Sequence, residues 1–156
     1  MKHNKNKMTY SPFALLLADP VNPIPEAKRT YHMTKIYEGL DALDTMLHPE
    51  IYHWQAVADA ANMLETLCNE LNLMDDPEGV IKDGMKVLAL SWKQREQGMP
   101  NQLDYDDLTK LRLMVNSYMY AVETLPERVM VVAHRQTEKR ICKILNGNKK
   151  EGDIIL

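Results

Sequence analysis

The stretch that decides the fold runs from residue 54 to residue 71 and reads WQAVADAANMLETLCNEL. Its apolar side chains recur at alternating steps of three and four residues, at Trp54, Val57, Ala61, Leu64, Cys68 and Leu71. This spacing matches the 3.6-residue turn of an α-helix, so one face of the segment is apolar and the other is polar. The stretch therefore predicts an amphipathic helix that packs through its apolar face.

Four further segments show the same spacing, and each is bounded by Pro, Gly or Asp. We expect a helix over 26–47, and the quoted helix then begins at Pro49. A third helix begins at Pro77 behind an Asp N-cap and stops before Gly98. A fourth is capped by Asp104, and a fifth lies near Pro126. Pro126 either kinks the fourth helix or starts the fifth. No strand-like alternation extends beyond a few residues. The sequence predicts an all-α, single-domain bundle of about five helices over 26–147.

The fifth segment allows two buried stripes. One consists of Met130, His134, Thr137, Ile141 and Leu145, and the other of Val129, Val132, Ala133 and Gln136. We favour the first, because four bases then gather on the opposite side of the helix: Arg128, Arg135, Lys139 and Lys143. His134 is then expected to be a hydrogen-bonded core histidine rather than a general base.

The two ends of the chain are predicted to be irregular. Four prolines before residue 26 predict an extended arm over 1–25, with Leu15 to Leu17 holding it against the body, and we expect a flexible tail over 148–156. The apolar run before Asp19 is too short for a signal peptide, and no stretch is long enough to span a membrane. Met8 is an alternative start. We expect a cytoplasmic protein without a membrane partner.

The two cysteines, Cys68 and Cys142, do not form a C-x-x-C pair, and we expect reduced thiols in an intracellular protein. Glu50-x-x-His53 has the spacing used in carboxylate-bridged di-iron bundles, but a second copy is missing. No glycine-rich phosphate loop, nucleophile elbow or zinc-ligand spacing occurs. We therefore expect no enzyme, no cofactor and no metal.

The net charge of −3 conceals a divided chain. Residues 36–81 carry ten acids and no Lys or Arg, whereas residues 126–150 carry seven bases and two acids. Projection on the helices places four acids away from the core stripes, where they face water or a partner: Glu38, Asp41, Asp59 and Glu70. Three interpretations stay open. The basic last helix neutralises these acids inside the fold, they form an acidic face for a basic partner, or the acidic and basic faces are solvated independently of each other.

The run from Trp54 to Leu67, WQAVADAANMLETL, resembles a helix of small uncharacterised all-helical proteins of proteobacterial phages and prophages. A loop similar to Arg95-Glu96-Gln97-Gly98 joins the following helix pair in those proteins. The resemblance extends over about residues 33–145. It implies a mobile-element setting, in which small acidic proteins often bind host machinery, and it assigns no activity to any residue.

These observations lead to three hypotheses. The first is a non-enzymatic protein that binds a macromolecular partner through the acidic face, such as a phage-encoded, anti-CRISPR-like inhibitor whose target is a nucleic-acid-binding host complex. The second is a structural or homodimeric phage protein, because the eleven methionines and the Tyr118-Met119-Tyr120 run leave large side chains outside a single core. The third is nucleic-acid contact through the bases of the last helix.

Overall fold

The computed structural model describes residues 12–148, and within them it confirms the expected all-α bundle. The helices are α1 Pro12–Leu17, α2 Glu26–Thr45, α3 Ile51–Glu65, α4 Val80–Glu96, α5 Tyr105–Thr124 and α6 Glu127–Lys143. A π-helical turn, Thr66–Glu70, extends α3, and a second, Ile144–Asn148, follows α6. The alternative start at Met8 and the predicted tail after residue 148 lie outside the described residues.

The quoted stretch forms the centre of the bundle. Helix α3 and its π-helical turn contact α2, α4, α5 and α6, and Trp54, Val57 and Leu64 are fully buried. Two glycines let α2 approach α3, and α4 approach α5, at short distances. A Cβ on Gly39 would lie 2.6 Å from the carbonyl oxygen of His53, and one on Gly84 would lie 2.5 Å from the Cβ of Met114. The contacts of α2 with α3 and of α4 with α5 therefore require glycine at these positions.

Several predicted helix ends are confirmed. Gly98 adopts the left-handed φ of +68°. Its N–H donates to the carbonyl of Arg95, and the N–H of Met99 donates to the carbonyl of Gln94. These two hydrogen bonds form a Schellman cap at the end of α4. The carboxylate of Asp104 accepts from the N–H of Asp107 and caps α5. Pro126 separates α5 from α6 instead of kinking one helix.

Two predicted helix starts are wrong. Helix α3 begins at Ile51 rather than Pro49. Helix α4 begins at Val80 rather than at Pro77, because residues 77–79 form a turn that ends at left-handed Gly79. Asp76 still caps α4 across this turn: its carboxylate accepts from the main-chain N–H groups of Ile81, at 3.1 Å, and Lys82, at 3.2 Å.

The N-terminal arm differs from the expected extended segment, because its residues 12–17 form α1. Leu16 and Leu17 are exposed and do not hold the arm in place; the buried Ala18 and main-chain hydrogen bonds do so instead. The carbonyls of Asn22 and Asp19 accept from the N–H groups of Glu127 and Arg128, at 2.8 and 3.0 Å. These two N–H groups open α6 and have no partner within that helix, so the arm caps α6.

A buried polar network joins the C-terminal end of α2 to α3 and α4. The indole N–H of Trp54 donates to the hydroxyl of Ser91 at 2.9 Å, and this hydroxyl donates to the side-chain carbonyl of Asn101. The amide nitrogen of Asn101 donates to the main-chain carbonyl of Leu43 at 2.7 Å. The network pairs polar groups that would otherwise be costly to bury.

Candidate charged interaction surfaces

Three of the four predicted partner-binding acids form one surface, called here the acidic face. Glu38 and Asp41 on α2 and Asp59 on α3 are exposed. The two helices pack side by side through Gly39, so the outer sides of both helices form a continuous surface. The prediction that these three acids lie outside the core is therefore confirmed.

Two exposed tyrosines belong to the same surface. Tyr31 precedes Glu38 by seven residues and Tyr52 precedes Asp59 by seven, which places each tyrosine two turns away on the same side of its helix. Tyr31 is 67% and Tyr52 is 64% exposed. The ammonium of Lys35 lies 4.6 Å from the centroid of the Tyr31 ring, and tyrosine is enriched among the residues that contribute most to protein–protein binding.

The fourth predicted acid, Glu70, does not face water or a partner. Arg140 of α6 donates to the carboxylate of Glu70 at 2.8 Å and lies 3.2 Å from that of Glu65. It also donates to the main-chain carbonyl of Asn62 at 2.8 Å. The prediction for Glu70 was wrong because the π-helical turn that contains it rotates its side chain relative to a regular helix.

The acidic block of the chain is thus divided by the fold. The last helix neutralises the C-terminal end of the α3 segment through Arg140, and Arg112 of α5 forms an ion pair with Asp44 of α2. Internal neutralisation therefore applies to part of the acidic block, and the binding of a basic partner by the exposed acids stays a prediction. Glu65 and Glu70 are paired with Arg140 between α3 and α6, Asp44 is paired with Arg112 at the surface, and the three acids of the acidic face are exposed.

The four bases proposed for nucleic-acid contact lie on one side of α6, opposite the buried Met130, Ala133 and Thr137. Arg128 and Arg135 are half-buried, and Lys139 and Lys143 are exposed. Arg128 contacts the arm, with its Nη2 3.5 Å from the carbonyl oxygen of Leu16. This set, together with the exposed Val132 that lies among it, is called here the basic stripe.

Sequence reasoning missed two groups that join α6 to α3. Arg140 lies between the proposed apolar and basic stripes, so neither pattern includes it. The hydroxyls of Thr66 and Thr137 are buried and lie 2.6 Å apart. The hydroxyl of Thr66 also lies 3.2 Å from the carbonyl oxygen of Asn62, and that of Thr137 lies 2.8 Å from the carbonyl oxygen of Ala133. A base on the inner side of α6, opposite a segment rich in acids, is the signal that could have identified Arg140.

Glu50 and His53, which were considered for metal binding, form a capping box at the start of α3. The N–H of Glu50 donates to Nδ1 of His53 at 2.9 Å, and this contact closes the start of α3. His134 was expected in the core but is half-buried, with Nδ1 3.8 Å from the carboxylate of Glu138. Over residues 12–148, no group of three or more His, Cys, Asp or Glu is placed to hold a metal ion.

His32 and Cys68 are two of the described groups whose pKa is shifted by the fold. Desolvation, with smaller effects from His134 and Lys35, lowers the pKa of His32, whose Nε2 lies 2.7 Å from the hydroxyl of Tyr118. Burial and the nearby Asp76 and Asp75 raise the pKa of the Cys68 thiol, which keeps it protonated at neutral pH. Both cysteines are free thiols.

Within the described part of the chain, no helix has the length and apolar composition needed to cross a membrane. Comparison with known proteins found no matching family model, no matching curated protein and no matching solved structure. The geometry of the surfaces is therefore the basis for a functional proposal.

Proposed function

We propose that the protein is a non-enzymatic binding protein whose acidic face docks onto a basic surface of a macromolecular partner. The observation that carries this proposal is the combination of Glu38, Asp41 and Asp59 with two exposed tyrosines on the outer side of α2 and α3. The acids provide electrostatic steering and exclude acidic partners, and the tyrosines provide apolar area that binding removes from water.

The scaffold supports this role because it is rigid where the face is built. Helices α2 and α3 meet through Gly39 with almost no space between them, and the Asn101 network fixes the C-terminal end of α2. A preorganised face loses little conformational entropy when a partner binds.

The resemblance of Trp54–Leu67 to phage and prophage proteins supports a specific version of the proposal. In that setting the basic partner is a nucleic-acid-binding complex of the host defence, and the acidic face occupies the groove that normally holds nucleic acid. The protein then acts as a phage-encoded inhibitor of the anti-CRISPR type, in the cytoplasm of the host cell.

The test compares two charge-reversed proteins that differ only in location. One carries Glu38→Lys, Asp41→Lys and Asp59→Lys, and the control carries reversals at three exposed acids elsewhere, Glu78, Glu96 and Glu123. Each immobilised protein and the wild type are exposed to host lysate, and retained proteins are quantified by mass spectrometry. Circular dichroism verifies that both variants remain helical.

We expect a discrete set of host proteins that the wild type and the control retain and the acidic-face variant loses. Tyr31→Ala with Tyr52→Ala should weaken retention of the same set at least about tenfold, as is typical when central aromatic side chains are truncated. Identical retention by all variants would refute the proposal. Light scattering over a concentration series tests the homodimer alternative separately, since a persistent monomer excludes it.

A further inference from the structure

A second surface, separate from the acidic face, is formed by the arm and α6. Leu16, Leu17 and Val21 are 72%, 84% and 74% exposed, among the highest values for large apolar side chains in the described part of the chain. Soluble proteins rarely leave neighbouring large apolar side chains in water without a use for them.

These apolar side chains lie beside the basic stripe. The guanidinium of Arg128 reaches the carbonyl oxygen of Leu16 at 3.5 Å, and the N–H of Arg128 donates to the carbonyl of Asp19 at 3.0 Å. The arm is therefore anchored at the N-terminal end of the stripe. From there the stripe continues along the outer side of α6 to Lys143, on successive turns of the helix.

The stripe itself carries charge of one sign, and Asp19 of the arm and Glu127 at the start of α6 are the acids beside its N-terminal end. The stripe positions follow steps of three and four residues and contain four bases, Val132 and no acid. The first acid of the described part of the arm is Asp19, which lies between Leu17 and Val21 in the sequence. The acids of the acidic face belong to α2 and α3 and lie outside this surface.

We propose that the surface formed by Leu16, Leu17, Val21 and the basic stripe docks onto an anionic lipid surface. The leucines enter the boundary between headgroups and acyl chains, and the bases contact the anionic headgroups. Membrane-surface binding typically needs both signals together, an apolar insertion and a basic cluster, and neither alone gives stable attachment. Phosphate contact in a nucleic acid would use the bases but would give the leucines no apolar environment.

An interfacial contact of this kind needs no membrane-spanning helix. It departs from the sequence-based expectation of no membrane partner, which considered spanning segments only. It is also independent of the acidic face, so the protein can attach to lipid and bind a basic partner at the same time.

The test measures co-sedimentation of the full-length protein with vesicles. One preparation contains phosphatidylglycerol and phosphatidylcholine in equal parts, and the other contains phosphatidylcholine alone. We expect binding to the anionic vesicles at low salt, weaker binding as salt is added, and little binding to the neutral vesicles.

Two variants with matched controls locate the contact. Leu16→Ser with Leu17→Ser should weaken binding at least about tenfold, whereas the same change at Leu90 and Leu113, two exposed leucines elsewhere, should not. Lys139→Glu with Lys143→Glu should weaken it at least about fivefold per base, whereas reversal of the exposed Lys82 and Lys93 of α4 should have a smaller effect.

Three results would overturn the proposal. The first is equal binding to both kinds of vesicle, or to neither. The second is binding that is unchanged by the leucine variant. The third is binding of the wild type and of the leucine variant to a DNA duplex, together with loss of this binding in the lysine variant. That result would assign the stripe to nucleic acid. Since all substituted side chains except Leu16 and Leu17 lie on long helices and all are exposed, the variants should fold.

Discussion

Replacement of Arg140 by Met should destabilise the protein more than any other single exchange of a charged side chain on α6. The guanidinium serves two carboxylates and a main-chain carbonyl, and its side chain is 18% exposed, against 25% for those of Glu65 and Glu70. Methionine keeps most of the apolar stem but leaves the two carboxylates without their counter-charge.

The magnitude follows from this partial burial. Removal of one partner from a fully buried ion pair costs about 3–5 kcal/mol, and removal from an exposed pair costs about 0–1 kcal/mol. The Arg140 cluster lies nearer the buried limit, so we expect a loss of about 2–3 kcal/mol in the free energy of unfolding. For a chain of this size such a loss lowers the melting temperature by about 5–10 °C.

Urea denaturation followed by circular dichroism measures the effect. Lys139→Met, next in the chain but exposed, is the matched control and should change the free energy of unfolding by less than about 0.5 kcal/mol. Adding Glu65→Gln and Glu70→Gln to Arg140→Met should restore much of the stability, because the penalty arises from unpaired carboxylates. A loss for Arg140→Met as small as the control, or one that the two added changes leave intact, would refute the reasoning.

Three other outcomes follow from the structure. Gly84→Ala should cost about 1–3 kcal/mol in urea denaturation, since its Cβ overlaps Met114, whereas the same change at an exposed helix position normally stabilises; an unchanged midpoint would contradict the close helix contact. The free energy of unfolding should fall as the pH drops below about 6.5, because the folded state disfavours protonation of His32 and the unfolded state does not. The dependence of this free energy on pH should be weaker in His32→Gln. Equal dependence in the two proteins would argue against the lowered pKa of His32. Asn101→Ala should cost about 1–3 kcal/mol by leaving the carbonyl of Leu43 and the other buried partners unpaired, and thermal melting that matches the wild type would show that water replaces the amide.

The five long helices, α2 to α6, could be predicted because each carries a repeating apolar stripe that no other local structure explains. Trp54, Val57 and Leu64 recur at helical spacing, and all three lie in the core. Asp104 and Gly98 could be assigned as caps because these residue types satisfy helix ends through local geometry.

The features that escaped prediction depend on contacts that side-chain patterns do not encode. Asp76 caps α4 across a turn, so its distance from the helix start in sequence is misleading. The arm is held by main-chain carbonyls, which every residue type possesses, while the apolar Leu16 and Leu17 stay in water.

The acidic face was largely predictable because solvent-facing acids follow directly from the helical projection. Glu70 was the exception, since the π-helical turn changes the direction of its side chain and only the tertiary fold brings Arg140 to it. The function of the face and of the basic stripe depends on partners, and a single sequence carries no pattern for these.

The arm that caps α6 also imposes an order on the assembly of the protein. Asp19 donates its N–H to the carboxylate of Glu127, a residue 108 positions later. On the ribosome, the arm is among the first described segments to emerge and must wait until nearly the whole bundle has been synthesised before it finds α6. Its closure is therefore a late step that joins the two ends of the described chain, and its release would leave the first N–H groups of α6 without their main-chain partners.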